Sequence, residues 1–255
     1  MRVSAGSAPS HREPLPGIFV TGTGTEVGKT VVAAVIAHAL AEEGKRVAVF
    51  KPAVTGLDEL VAGGPKGNTA GDLSAHRRGN AADHELLRWA AGSGQSEEET
   101  APYRYGPPMS PHLAAGLVGE EIEPERLLNA AHSTAASADA LVCEGVGGLL
   151  VPLSFTYLVR DFAVALGLPL VIAASPGLGT INHTLLTIEA ARSAGLDVAA
   201  VVLTPWPQIP DQIEESNRET IAALGEVRVE TLPWLDLSKP DSWPTSGDLP
   251  AICRR

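Results

Sequence analysis

Residues 22–30, GTGTEVGKT, set a lysine and a hydroxyl directly behind three spaced glycines. Gly22, Gly24 and Gly28 let backbone come close to an anion, Lys29 extends a cation toward the outer phosphates, and Thr30 offers an oxygen to Mg²⁺. The stretch departs from the usual phosphate-loop spacing of glycine, four residues, then Gly-Lys-Ser/Thr, because that count back from Gly28 reaches Thr23. One extra residue leaves the chemistry intact if a strand enters the loop and a helix leaves it, since free N–H groups and the helix dipole both favour an anion there. A metal on those phosphates needs an acid at the end of a neighbouring strand. Glu144 follows the apolar run ALVC and precedes Gly145, Gly147 and Gly148. Lys51, in KPAVTG at 51–56, closes another apolar run. There it is either solvated or a second cation facing the same crevice, and two lysines converging on a triphosphate stabilise charge during phosphoryl transfer.

The elements that would position these groups follow from apolar periodicity. Residues 17–21 (GIFVT) predict a strand into the glycine loop, and residues 29–43 predict a helix out of it, stopped at Gly44. Further strands are expected at 46–50, 140–143, 169–174 and 198–203, with helices at 125–138, 157–166, 182–194 and 211–224. Near-continuous apolar strands alternating with helices imply an α/β fold of the P-loop NTPase kind, a mostly parallel central sheet with helices on both faces and ligands at the carboxyl ends of the strands. Residues 63–79 are a polar, glycine-rich loop of the sort that carries function, and no structure is assigned beyond Pro233. Residues 1–16 read as a flexible arm and 17–255 as one domain.

Composition narrows the partners. The 255 residues are 44% hydrophobic, enough to bury a sizeable core. With a formal charge of −11 and only 19 scattered Lys and Arg, the chain does not read as a nucleic-acid binder. Two cysteines, Cys143 and Cys253, form no CxxC pair, so no zinc site is expected, and reduced thiols fit a cytoplasmic location. Neither a secretory leader nor a bilayer-spanning run is legible, so no membrane partner is expected.

Taken in order, GTGTEVGKT, KPAVTG, NTAGD (68–72), PMSPHLAA (108–115), CEGVGG (143–148), GLGTINH (177–183) and LPWL (232–235) resemble the motif set of the dethiobiotin synthetase family over roughly residues 17–235. The resemblance implies ATP-dependent carboxylation of 7,8-diaminononanoate with CO₂ or bicarbonate, closing a ureido ring to give dethiobiotin, ADP and phosphate. It implies nucleotide contacts from Gly24, Thr25, Glu26, Val27, Gly28, Lys29, Thr30 and Pro233, a Mg²⁺ shell of Thr30, Asp72 and Glu144, and catalytic roles for Lys51, Lys29 and Thr25. It assigns the diamine to Thr55, Ser110, Pro111, Gly148, Gly179, Thr180 and Asn182, the last three from the second subunit of a homodimer. On local sequence alone Asp72 is an ordinary turn residue, and Ser110-Pro111 is equally a helix-capping pair. The competing reading is a nucleotide-switched binding ATPase of the ParA/MinD type, whose loop carries a second lysine near its start where this chain has Gly22, Thr23 and Gly24.

One departure bears on nucleotide choice. Where many relatives place an Asn-Asp pair after the 198–203 strand to read the adenine edge, this chain has Thr204, Pro205, Trp206 and Pro207. Proline offers no side-chain donor, and Trp206 is open to two readings, a base-stacking ring or a packing residue. Comparable kcat/KM values for ATP, CTP and GTP are therefore expected in steady-state assays, and a strong preference for ATP would contradict this.

Overall fold

The computed structural model describes residues 16–58 and 81–244. The arm, the 63–79 loop with Asp72, and the chain end beyond 244 lie outside the described residues. β1 (Gly17–Gly22) leads through the glycine loop into α1 (Lys29–Glu42), and β2 (Val47–Phe50) follows. Four helices come next: α2 (Asp83–Ala90), α3 (Glu97–Thr100), α4 (Pro111–Leu117) and α5 (Pro124–Ala135). β3 (Ala140–Gly148) is followed by a small hairpin, β4 (Pro152–Ser154) and β5 (Tyr157–Leu158), and then by α6 (Val159–Leu166). β6 (Leu170–Ala174), α7 (Thr180–Ser193), β7 (Val198–Trp206), α8 (Gln212–Gly225) and β8 (Val229–Pro233) complete the alternation.

Six strands form one sheet in the order β2-β3-β1-β6-β7-β8, with every neighbouring pair parallel. β1 sits between β3 and β6, and the chain builds outward from it to both sides, which opens a crevice at the carboxyl end of β1. Two layers of side chains cover the sheet. On one face α1 and α2 pack with the segment after β8, through Val32, Ile36, Leu40, Leu87, Leu235 and Trp243. On the other face α4 to α8 pack through Ala114, Leu127, Phe162, Ile188 and Ile221. α1 has buried residues nearly all round because it lies against the sheet on one side and α2 on the other.

The expected strands and helices are present, with edges shifted by local chemistry. β3 and β7 run on to Gly148 and Trp206, past the apolar runs that announced them. The 157–166 helix starts at Val159 because Tyr157 and Leu158 pair with Pro152 and Ser154, and Asp161 then caps the helix by accepting from the Leu158 N–H at 2.9 Å. α8 begins after Asp211, whose side chain accepts from the N–H groups of Ile213 and Glu214. α2, α3, the hairpin and β8 carry too short a pattern to announce themselves.

On the second face, the Phe162 ring lies 6.1 Å from Phe19 and 6.0 Å from Phe50, so three secondary-structure elements meet on one fully buried aromatic group. Gly145 makes room for it, since a Cβ there would come within 3.0 Å of Val159 and 3.1 Å of Phe19. Phe162→Ala is expected to lower stability by about 3–5 kcal/mol, read from the urea midpoint.

Candidate active site

The crevice at the end of β1 is a cavity of ≈ 470 Å³. The loop between β1 and α1 forms its floor. The backbone passes through the left-handed region at Glu26 (φ 58) and at Gly28 (φ 88), the residue before α1, and this curls the loop around the first turn of the helix. A side chain at Gly22 is excluded by contact, because its Cβ would lie 2.6 Å from Val27 and 2.9 Å from Lys29. Lys29 donates from Nζ to the Gly24 carbonyl at 2.7 Å. Burial brings its ammonium down to a pKa of about 8 against the opposing pull of Glu144.

The centre of the site is a buried charge cluster. Lys51, carried just past β2, donates from Nζ to Glu144 Oε1 at 2.6 Å and to Asp83 Oδ2 at 2.8 Å. Lys51 is only 3% exposed and Glu144 not at all. Burial alone would discharge Lys51, but the two carboxylates outweigh it and hold the ammonium above its ordinary range. Burial also raises the Glu144 carboxyl, with Lys51 pulling it back down. With two carboxylates on one ammonium at salt-bridge distance, the cluster is read as ionised. Thr30 Oγ1 donates to the same Glu144 Oε1 at 2.9 Å, while the buried Glu144 Oε2 has no hydrogen-bond partner among the described residues.

That orphan oxygen is the test of a metal site. A hard cation such as Mg²⁺ takes a few protein oxygens and keeps water or phosphate in its remaining positions. Glu144, Thr30 and the Asp83 carboxylate bring such oxygens to one cavity wall, so the residues fit a divalent cation. Asp83, at the first position of α2, is the acid that sequence reading missed; its signal was an acid opening a helix ahead of Leu86 and Leu87. Asp72, expected in this role, lies outside the described residues.

Thr25, Glu26, Gly28, Lys29, Thr30, Lys51, Thr55, Ser110, Pro111 and Glu144 all line the cavity. Gly24 takes part through its carbonyl. Other expected residues lie elsewhere. Val27 packs against the α1-side core, and Gly148 pairs with Gly22 in the β1/β3 ladder. Pro233 ends β8, beside Trp206. Gly179, Thr180 and Asn182 open α7 outside this cavity, with Gly179 and Asn182 exposed and Thr180 buried near Thr184. The Trp206 ring packs against the core opposite α1, with the Arg218 guanidinium 5.9 Å from its centroid, which favours packing over base stacking. Cys143 is buried in β3 on the far side of the sheet from α1, and burial pushes its thiol well up, so it is no nucleophile here.

A parallel sheet with a lysine-bearing glycine loop between its central strand and a helix, and an acid in the adjacent strand, defines the P-loop nucleoside triphosphatase class. A chain of the MinC–MinD cell division protein complex of Aquifex aeolicus has the same fold (TM-score 0.54, 14% identity, 93% of each chain covered). Residues 16–242 match the family described as AAA domain. The chain is 39% identical over 219 residues to the ATP-dependent dethiobiotin synthetase BioD of Anaeromyxobacter dehalogenans strain 2CP-1, covering 86% of this chain and 90% of that one. It is 40% identical over 211 residues to BioD of Rhodococcus erythropolis, covering 82% and 84%. With BioD of Bacillus subtilis strain 168 it shares 35% over 208 residues, covering 82% of both. The chain belongs to the dethiobiotin synthetase family.

Removing the shared cation should strand its partners. Lys51→Met is expected to destabilise the fold by about 3–5 kcal/mol in chemical denaturation, because Glu144 would remain buried without a counter-charge. Adding Glu144→Gln should recover part of that loss, which a cost from side-chain volume alone would not do.

Proposed function

We propose that this chain is an ATP-dependent dethiobiotin synthetase of biotin biosynthesis, a ligase acting in the cytoplasm. The observation that carries the reading is the continuity of the cavity from the phosphate loop, past Lys51 and Glu144, to Thr55, Ser110 and Pro111. A nucleotide γ-phosphate and a second substrate therefore meet in one cavity that Lys29 and Lys51 also line.

In this reading one amine of 7,8-diaminononanoate captures CO₂ as a carbamate, whose oxygen attacks the γ-phosphorus and expels ADP. The second amine then attacks the carbonyl of the resulting mixed anhydride, closes the five-membered ring and releases phosphate. Lys29 and the loop N–H groups hold the phosphates, and Lys51 neutralises charge where carbamate oxygen and γ-phosphate approach each other. Mg²⁺ held by Thr30, Glu144 and Asp83 would screen the phosphate oxygens. Ser110, Pro111 and Thr55 shape the amine end. No protein nucleophile is needed, because holding both substrates in one cavity makes the first attack effectively unimolecular, and the ring closure is intramolecular by nature.

A homodimer belongs to the proposal. The chain exposes Phe155 at 91% and Leu178 at 98%, the latter directly before Gly179, Thr180 and Asn182. A second copy covering Leu178 would bring those α7 residues toward a neighbouring cavity.

The test is phosphate release from Mg²⁺-ATP and bicarbonate, with and without the diamine, together with product mass. Diamine-dependent release and a dethiobiotin mass are expected; release indifferent to the diamine, without ring product, would point to a switch-type ATPase instead. Under conditions where the variants are folded, Lys51→Ala should lower kcat far more than it weakens nucleotide binding, and Asp83→Asn should raise the Mg²⁺ concentration for half-maximal rate by about tenfold or more. Equal loss of binding and turnover in Lys51→Ala would reduce that residue to an anchor.

A further inference from the structure

The cavity has two apolar ends, one on each face of the sheet. Met109, Val146 and Val151, each partly buried, pack against the core on the α4–α8 face and line the cavity with Ser110 and Pro111. Val31, Leu86 and Leu237 belong to the core on the α1 face, beside Thr30. With the amine substrate at the first end and the phosphates on the loop between, the second end is left for the nucleoside.

Among the described residues beyond Val151, Leu237 alone contributes to the cavity wall. It sits in a turn after β8 that is tied at both sides. Asp236 accepts from the Ser238 N–H at 3.0 Å and the Ser238 hydroxyl at 2.6 Å, and its carbonyl accepts from the Lys239 N–H at 3.0 Å. The same carbonyl accepts from Trp243 Nε1 at 3.1 Å. The Trp243 ring is wedged edge-on between His38 of α1, at 5.4 Å, and Trp89 of α2, at 5.7 Å. One side chain thus fastens the turn that holds Leu237 to the two helices whose first residues, Lys29 and Asp83, stand in the site.

We infer that Leu237 forms a wall of the nucleoside subsite and that Trp243 is the positioning residue that keeps it there. The inference rests on the cavity being a nucleotide site, as proposed above. An aliphatic wall encloses sugar or base by contact, without reading hydrogen-bonding groups, so truncating it should weaken the nucleotide's hold and leave the amine end alone.

Titration calorimetry with Mg²⁺-ATP and no diamine tests this on the full chain. Leu237→Ala and Trp243→Ala are each expected to raise Kd by about five- to tenfold, the scale of lost contact in an apolar pocket. In steady state the change should fall on KM for nucleotide, with kcat and the diamine KM moving less than about twofold. Trp243→Phe should recover most but not all of the binding, because a ring again fills the wedge while the hydrogen bond from Trp243 Nε1 to the Asp236 carbonyl is lost. Where Trp243→Ala does not fold, Trp243→Leu takes its place. An unchanged Kd in Leu237→Ala overturns the inference, as does a folded Trp243 variant whose loss is spread equally over kcat and both KM values. A chain that loses nucleotide affinity in Leu237→Ala yet makes no ring product would bear out the inference while sinking the synthetase reading.

Discussion

The ammonium of Lys51 between Glu144 and Asp83 is the constraint on which the site depends. Three charged groups share the cavity wall, two of them removed from water, and such a cluster holds only while every partner is within reach. Its members come from just past β2, the middle of β3 and the start of α2. The parallel register that sets β2 beside β3, Phe50 opposite Cys143, is what brings Lys51 level with Glu144. Thr30 adds the first turn of α1 through its hydrogen bond to the same carboxylate. The charges are therefore a fixed arrangement against which a phosphate can be placed, with little reorganisation at the moment of reaction.

The division of the sheet into two covered faces gives that arrangement its use. Because the cavity straddles the strand ends, it borrows one apolar wall from each core, and the charged centre lies between them. A reaction joining a phosphate to an amine needs this partition: each substrate is gripped by its own end, and only the reacting groups meet the cations.

Much of this was legible in the sequence, for physical reasons that differ from residue to residue. β1, α1 and β6 were plain because long apolar runs leave few alternatives. Lys29, Thr30, Lys51 and Glu144 were plain because each stands where an apolar run meets glycine or proline, which for Lys29 and Thr30 marks a helix start and for Lys51 the end of a strand. Asp83 was not, since its place beside Lys51 is a tertiary fact and its own neighbourhood reads as the start of a short helix. Trp243 and Leu237 were hidden for a related reason: the proline-punctuated segment after Pro233 has no period, and its order comes from docking on α1 and α2 rather than from local preference. Trp206 illustrates the converse, a residue whose two readings on sequence are separated only by the face of the sheet it packs on.

β3 carries a last consequence. Its side chains alternate between faces, so Cys143 joins the far core while Glu144, one residue later, bonds to Thr30 on the α1 side. Over Leu141–Cys143 β3 is paired with both β1 and β2, so that stretch has no free edge along which to slide. Length changes in this protein are thereby partitioned. Those in surface connections alter loops, whereas a single residue gained within Ala140–Cys143 would set the Cys143 thiol where the carboxylate stands, and one lost would set Gly145 there. The strand acts as a ruler, and the spacing it keeps is as much a part of the chemistry as the acid it presents.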